Sequence, residues 1–299
     1  YVGMGGAMEA LGADISTMSS NPAGIGLFRK SQVSMTFGVV AQTDAETALN
    51  YNGSTLSFDG KKSKPSFDQA GFVWSPSSKG SNYINLGFNY HKSTNFNQIL
   101  TAVGRLDGAS QNRLTAAKYA KIRKEVNDYA ESHPNASSKD LQDYSNYLGD
   151  MIATGVDYGY QNMFGTNADG SMMNSLKGED FLFGQYQHGY IGVYDFNISG
   201  SLNNRVWLGL TVGLHDVHYN SNSSYGEILE QVGTASDGSS VNAATNSMEQ
   251  VKITGTGFDV KFGAIFRPFV DSPFRIGVYV NSPVFYELTR SSAIDMEAY

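Results

Sequence analysis

The chain has 299 residues, 40% of them hydrophobic, with 33 glycines, 18 tyrosines, 17 phenylalanines, 7 prolines and no cysteine. That length suits one large all-β domain or two ordinary ones, and the lack of cysteine removes both a disulfide framework and a thiolate metal site. A formal net charge of -7 argues against nucleic acid, which needs a basic stripe. Mean hydropathy is -0.30, and no apolar run approaches the ~18 residues of a membrane helix. A helical membrane protein is thereby excluded, whereas a barrel stays open, because barrel strands show lipid only every second residue. The chain begins at Tyr1 with neither an initiator Met nor a signal peptide, so its true N-terminus is expected upstream.

Residues 2–26, VGMGGAMEALGADISTMSSNPAGIG, read as two short helical pieces and a turn. Met4, Ala7, Met8 and Leu11 share one helical face, with Gly12 as the stop. Asp14 is placed to cap a second turn through Met18, and Asn21 with Pro22 ends it. Gly24 and Gly26 then permit tight turns. Two readings follow: a plug for what comes after, or an ordinary N-terminal arm on a soluble domain.

Seven segments alternate with period 2. The first are Val33, Met35, Phe37 and Val39, then Ala70, Phe72 and Trp74, then Ile84, Leu86, Phe88 and Tyr90. Tyr190, Tyr194, Phe196 and Ile198 follow, then Val206, Leu208, Leu210, Val212 and Leu214. Phe258, Val260, Phe262, Ala264 and Phe266 precede the last, Phe274, Ile276, Val278 and Val280. A soluble sandwich alternates as well, but its second face meets water and carries many Lys, Glu and Arg. Here that face is mostly Gly, Asn, Ser and Thr, which suits a hydrated lumen. Tyr90, Tyr190, Trp74 and Tyr219 near strand ends suit interfacial girdles. The fold expected is therefore an all-β transmembrane antiparallel barrel, with the sandwich as alternative.

Connections 77–80, 203–204 and 268–272 are short, and Asn203-Asn204 is a good two-residue hairpin turn. Between them 43–65, 93–187 and 220–248 are expected to be long loops. Strict alternation of short and long matches short periplasmic turns and long extracellular loops, and puts 1–32 on the periplasmic side. Within 93–187, Tyr119, Ile122, Val126 and Tyr129 form a helical stripe. Ser137 with Asp140 signals a second helix, carrying Leu141, Tyr144, Leu148, Met151 and Ile152 and stopping at Gly155. The pair forms either an apolar landing groove or a hairpin packed on itself and the rim. Seven strands is an odd number, and a barrel must pair every edge, so roughly half of it is expected in residues beyond these.

Catalysis finds little support. His215 and His218, three apart on a strand, point to opposite faces and cannot share a metal, while His91, His133 and His188 are dispersed. No Gly-rich phosphate loop stands between a strand and a helix. Asp259, Lys261 and Arg275 fall on one face of adjacent strands and read as a lumenal salt-bridge ladder. No catalytic residue, metal ligand or cofactor is assigned.

Gly5, Gly6 and Ala7, ALGADIS at 10–16, and Asn21, Pro22, Ala23 and Gly24 resemble the hatch motif of the FadL/TodX family of outer-membrane transporters for hydrophobic compounds, particularly its Bacteroidetes branch. GTGFDVKFGAIFRP at 255–268 and RIGVYVNSPVFY at 275–286 resemble that family's later strands. The resemblance implies a fourteen-stranded barrel in the bacterial outer membrane, residues 1–32 as hatch and 33–299 as part of the wall. It implies passive uptake of a hydrophobic small molecule, such as a long-chain fatty acid, with membrane lipid and lipopolysaccharide around it. By position, Tyr144, Leu148 and Met151 would line the groove, and Gly87 would permit a kink in the third strand. A second reading, known among Bacteroidetes members, is an accessory barrel with a protein partner in a secretion or surface complex.

Overall fold

The computed structural model describes residues 12–76, 80–165, 175–234, 236, 238 and 240–299. Gly5, Gly6 and the helical face of Met4 to Leu11 lie outside the described residues. Two short 3-10 turns, Ile15–Met18 and Pro22–Leu27, come first. Strand β1 (Gln32–Ala41) follows, then the small hairpin β2 (Ala48–Tyr51) and β3 (Ser54–Ser57), then β4 (Ser63–Trp74), β5 (Tyr83–Asn95) and β6 (Gln98–Arg105). Helices α1 (Gln111–Ser132), α2 (Ser138–Ile152) and α3 (Gly155–Phe164) lead to the long strands β7 (Gly178–Leu202), β8 (Val206–Thr234) and β9 (Ser240–Phe266). The shorter β10 (Ile276–Asn281) and β11 (Phe285–Ala298) close the order.

The protein is mostly β, with one large antiparallel sheet in which β1, β4, β5, β7, β8, β9 and β10 lie side by side. β6 carries the β5 lane onward along β7: Asn95 stands opposite Tyr190, and Gln98 opposite Gln187. β11 likewise carries the β10 lane along β9, from Asn281 opposite Lys261 to Phe285 opposite Phe258. The interruption holds Pro283, which has no N–H for the ladder. Among the described residues, eleven strands thus form seven lanes plus the β2–β3 hairpin, and the lanes are those of the seven alternating segments. Among the described residues the sheet does not close, because β1 and the β10/β11 lane each keep an unpaired edge.

Several expectations fail for physical reasons. The region 220–248 is no long loop: β8 runs to Thr234 and β9 starts at Ser240, paired with each other almost throughout. Both strands there are mostly polar on both faces, so hydropathy alternation is lost while pairing continues. The region 93–187 contains β6 and three helices, and 43–65 contains β2–β3. Helix α2 is capped by Ser137 and Asp140 as expected, but it ends at Ile152. Gly155, read as a stop, instead opens α3, where the Asp157 carboxylate accepts from the Thr154 N–H at 2.8 Å. The turn after β7 does contain Asn203 and Asn204, both at positive φ as a type I′ turn requires, closed by Arg205 N–H to Leu202 C=O at 3.0 Å.

The two faces of the sheet are inverted relative to a soluble protein. Val33, Phe37, Phe72, Trp74, Leu86, Phe196, Leu210, Phe262 and Val280 are exposed on one face. Asn85, Asn89, Asp195, Asn197, Ser199, Thr211, Asp259 and Lys261 are buried on the other. Two rows of rings cross the exposed face: Phe37–Phe67–Tyr90–Tyr194, at 5.3, 5.7 and 5.0 Å, and Phe72–Phe88–Phe196, at 5.9 and 5.2 Å. Such contacts contribute beyond their area, by about 0.5–1.5 kcal/mol each.

Candidate functional site

What buries the polar face is the N-terminal segment. Asp14 caps the first turn, accepting from the Ser16 N–H at 2.8 Å, and Asn21 caps the second, accepting from the Ala23 N–H at 3.2 Å. Asn21, Ala23 and Ile25 have no exposed surface, and Pro22 and Gly24 are buried with them. The seat is cut to fit. Glycines at 209 on β8 and 263 on β9 leave room for backbone: a Cβ on Gly209 would overlap Pro22, and one on Gly263 would overlap Asn21 Oδ1. Trp207 and Ile265 flank Ala23, while Ile15, Met18, Ile25, Phe28 and Val73 form a small apolar core between segment and sheet.

An irregular segment buries carbonyls that no ladder satisfies, so the sheet must supply donors. It does. Asn85 Nδ2 donates to Ile25 C=O at 2.8 Å and Phe28 C=O at 2.9 Å, Tyr83 OH to Gly26 C=O at 2.8 Å, and Ser199 Oγ to Pro22 C=O at 2.7 Å. These side chains are the Asn and Ser of the alternating faces, now with a partner.

Beside this seat, five lanes contribute to a buried charged cluster. Lys261 on β9 lies 2.9 Å from Asp195 on β7 and 3.0 Å from Asp259. His215 on β8 meets Asp259 at 3.1 Å, and the Tyr286 hydroxyl reaches the other ring nitrogen at 3.2 Å. His91 on β5 is 3.7 Å from Asp195, and Ser19 of the N-terminal segment donates to Asp195 at 2.9 Å. The charges are paired and hydrogen-bonded, so the cluster ties strands and segment together. Among the described residues, no group of His, Asp and Glu is arranged to hold a metal ion.

Two members of the expected ladder, Asp259 and Lys261, are in this cluster, but Arg275 is not: its guanidinium lies 5.6 Å from the Trp207 ring, before β10 begins. Sequence reasoning missed Asp195, His91, His215, Tyr286 and Ser19. Strand parity places Asp195 and His215 on the inner face, yet their register across lanes decides the pairing. Gly87 is not a kink. It pairs regularly with Val73 and Asn197, and its missing side chain admits Met18. The irregularity of the third lane lies further on, at Lys92/Thr94, and β4 pairs with β5 only over Gln69–Trp74.

Tyr144, Leu148 and Met151 do not line a common groove. Leu148 is buried with Tyr119, Ile122 and Tyr160 in the core of the helical cap, Tyr144 stacks on Tyr129 at 4.4 Å, and Met151 is exposed. The cap rests on the long strands through fully buried Glu227 on β8. Its carboxylate accepts from the Gln111 N–H at 2.8 Å, Tyr225 OH at 2.9 Å and Tyr160 OH at 3.0 Å. Asp157 fastens α3 to α1 through Lys118 and Thr115, each at 2.6 Å. Burial acts to raise its carboxyl, but these partners and Thr154 outweigh it and hold the group below its usual value.

Fold and site define a mostly β protein built on one antiparallel sheet, whose polar face is covered by its own N-terminal segment. No family model, curated protein or solved structure matches the chain.

Proposed function

We propose that the chain forms wall and hatch of an outer-membrane barrel that admits hydrophobic small molecules such as long-chain fatty acids. Strands outside these residues would close the two free edges, and residues 1–32 would be the hatch. The observation that carries this reading is the inversion of the sheet. Exposed apolar surface on this scale, opposite a buried polar face, finds its solvent in lipid. On β7 the exposed apolar positions run from Tyr194 to Leu202. That stretch, at about 3.3 Å per residue and a tilt of about 40°, spans roughly 20 Å, close to the ~25 Å apolar band of such barrels. The stretch of β4 that pairs with β1 but not with β5, residues 63–68, beside the irregular third lane is where a lateral exit would lie.

The test is uptake of a labelled long-chain fatty acid by cells or liposomes carrying the full-length protein. Uptake should change when residues 12–28 are deleted. Uptake unaltered by that deletion, and equally unaltered by closing the β4–β5 gap with a cysteine pair, defeats the reading. Stable co-purification with an envelope protein, together with absent uptake, favours the accessory-barrel alternative.

A further inference from the structure

Near the short-turn end the exposed apolar face is indented. Gly200 on β7 stands opposite Ile84 on β5 and Leu208 on β8, so a side chain is missing where both neighbours are large. The result is an open dent of about 710 Å³, walled also by the exposed Ile198, Leu202, Leu210 and Phe262. That volume is within the range of small-molecule sites, roughly 300–1,000 Å³. The dent reaches the β7–β8 turn, where Leu202 C=O accepts from the Arg205 N–H. Residues 27–31, 202–206 and 266–276 carry Arg29, Lys30, Arg205, Arg267 and Arg275 against a single acid, Asp271, in a chain of net charge -7. These stretches meet at one end of the wall: Arg29 donates to Gly80 C=O at 3.0 Å and to Asn204, and the Arg267 N–H to Arg205 C=O at 2.8 Å. Arg205 Nη2 donates to Pro268 C=O at 2.6 Å, and Arg267 Nε to Ser272 C=O at 2.9 Å. A carbonyl holds a guanidinium in place without cancelling its charge. In the same turn Phe269, Val270 and Phe274 are exposed, so rings stand beside cations as in a segment at a membrane interface.

We propose that this end of the wall holds an anionic phospholipid, with one acyl chain in the dent over Gly200 and the phosphate at Arg205 and Arg267. The dent is apolar along its length and basic only at its mouth, the order in which a phospholipid presents chain and headgroup. A guanidinium offers a planar fork that matches phosphate oxygens, and clustered cations at a membrane surface favour anionic headgroups over zwitterionic ones. A second copy of this chain fits less well. Two copies related by an axis along the membrane normal would set these cations against their own duplicates, and like charges in apposition are repelled. The inference rests on the membrane reading above and adds to it a lipid class and a seat.

The test titrates the full-length protein in detergent with dioleoylphosphatidylglycerol, dioleoylphosphatidylcholine and inorganic phosphate, counting bound lipid by native mass spectrometry. Phosphatidylglycerol should be held about tenfold more tightly than phosphatidylcholine, and millimolar phosphate should not displace it. Arg205→Gln and Arg267→Gln should each remove most of that preference, whereas Arg267→Lys, which keeps the charge, should retain it. Gly200→Leu puts a side chain into the dent and should weaken both lipids by about three- to tenfold. A second measurement separates this proposal from the reading beneath it. Of the two tryptophans, Trp74 is exposed on the apolar face and Trp207 is buried on the other, so brominated phosphatidylcholine vesicles should quench Trp74 in the native chain and in every variant. Unquenched Trp74 defeats the membrane reading and this proposal with it. Quenched Trp74 with equal retention of the two lipids, with displacement by phosphate, or with an undiminished preference in both glutamine variants overturns this proposal alone.

Discussion

The N-terminal segment and the helical cap both cover the sheet, and they do it in opposite ways. The helices satisfy their own backbone, so the cap needs few points of attachment, and Glu227 supplies two of them at one carboxylate. The N-terminal segment is two single turns with most of its carbonyls unspent, so every stretch of it requires a fitted donor or a glycine opposite. A self-sufficient element can sit on almost any surface; an irregular one needs a surface made for it. That difference explains why the inner face carries Asn, Ser and Gly where a water-exposed face would carry Lys and Glu.

Substitutions in the two regions should sharpen the contrast. Lys261→Met leaves Asp195 and Asp259 buried without their cation and should cost about 3–5 kcal/mol. Because Ser19 rests on Asp195, proteolysis near residue 19 should accelerate while the cap stays protected. Next, Glu227→Ala strands the Tyr225 hydroxyl and the first N–H of α1 and leaves Tyr160 with Thr245 alone, an expected loss of about 2–3 kcal/mol centred on the seat of the cap. Hydrogen exchange should rise over residues 111–164 and remain unchanged over 12–28; equal rises in both would mean that cap and N-terminal segment do not respond independently.

Gly263→Ala should cost about 1–3 kcal/mol by pushing Asn21 off β9, read as a lower melting temperature with faster cleavage of the segment. Acid should loosen the cap. The Asp157 carboxyl is depressed in the folded state, so its contribution is present above the ordinary value of 3.8 and fades as pH falls through the folded value. Exchange protection of α3 should therefore fall first below about pH 4, and Asp157→Asn should remove that dependence. Smallest, Ser137→Ala removes the capping hydroxyl of α2 at the exposed end of the cap, for about 1 kcal/mol visible only as local fraying.

Much of this was legible from residue order. Alternation in seven segments assigns each side chain to a face, since parity along a strand is a local property: Trp207 in, Leu208 out, and so on along β8. The Asn203-Asn204 turn and the Ser137 cap are equally local, as each depends on a few neighbouring residues. Helix α3 carried a similar signal in Thr154 and Asp157, which the adjacent Gly155 obscured. The polar upper halves of β8 and β9 had none, because both of their faces are mostly hydrophilic and their pairing rests on the backbone ladder with polar side-chain bonds such as Ser224 to Asn246.

What residue order determined by itself is therefore which face each strand residue takes, and that the inner face is polar. What only tertiary structure decided is who meets whom across that face. Register brings His91, Asp195, His215 and Asp259 from four lanes to one cluster and leaves Arg275 on Trp207. It also places Gly209 and Gly263 under Pro22 and Asn21, 187 and 242 residues away along the chain. Parity repeats every two residues and is written locally, whereas register is a long-range alignment set by turns, bulges and the fit of the covering segment.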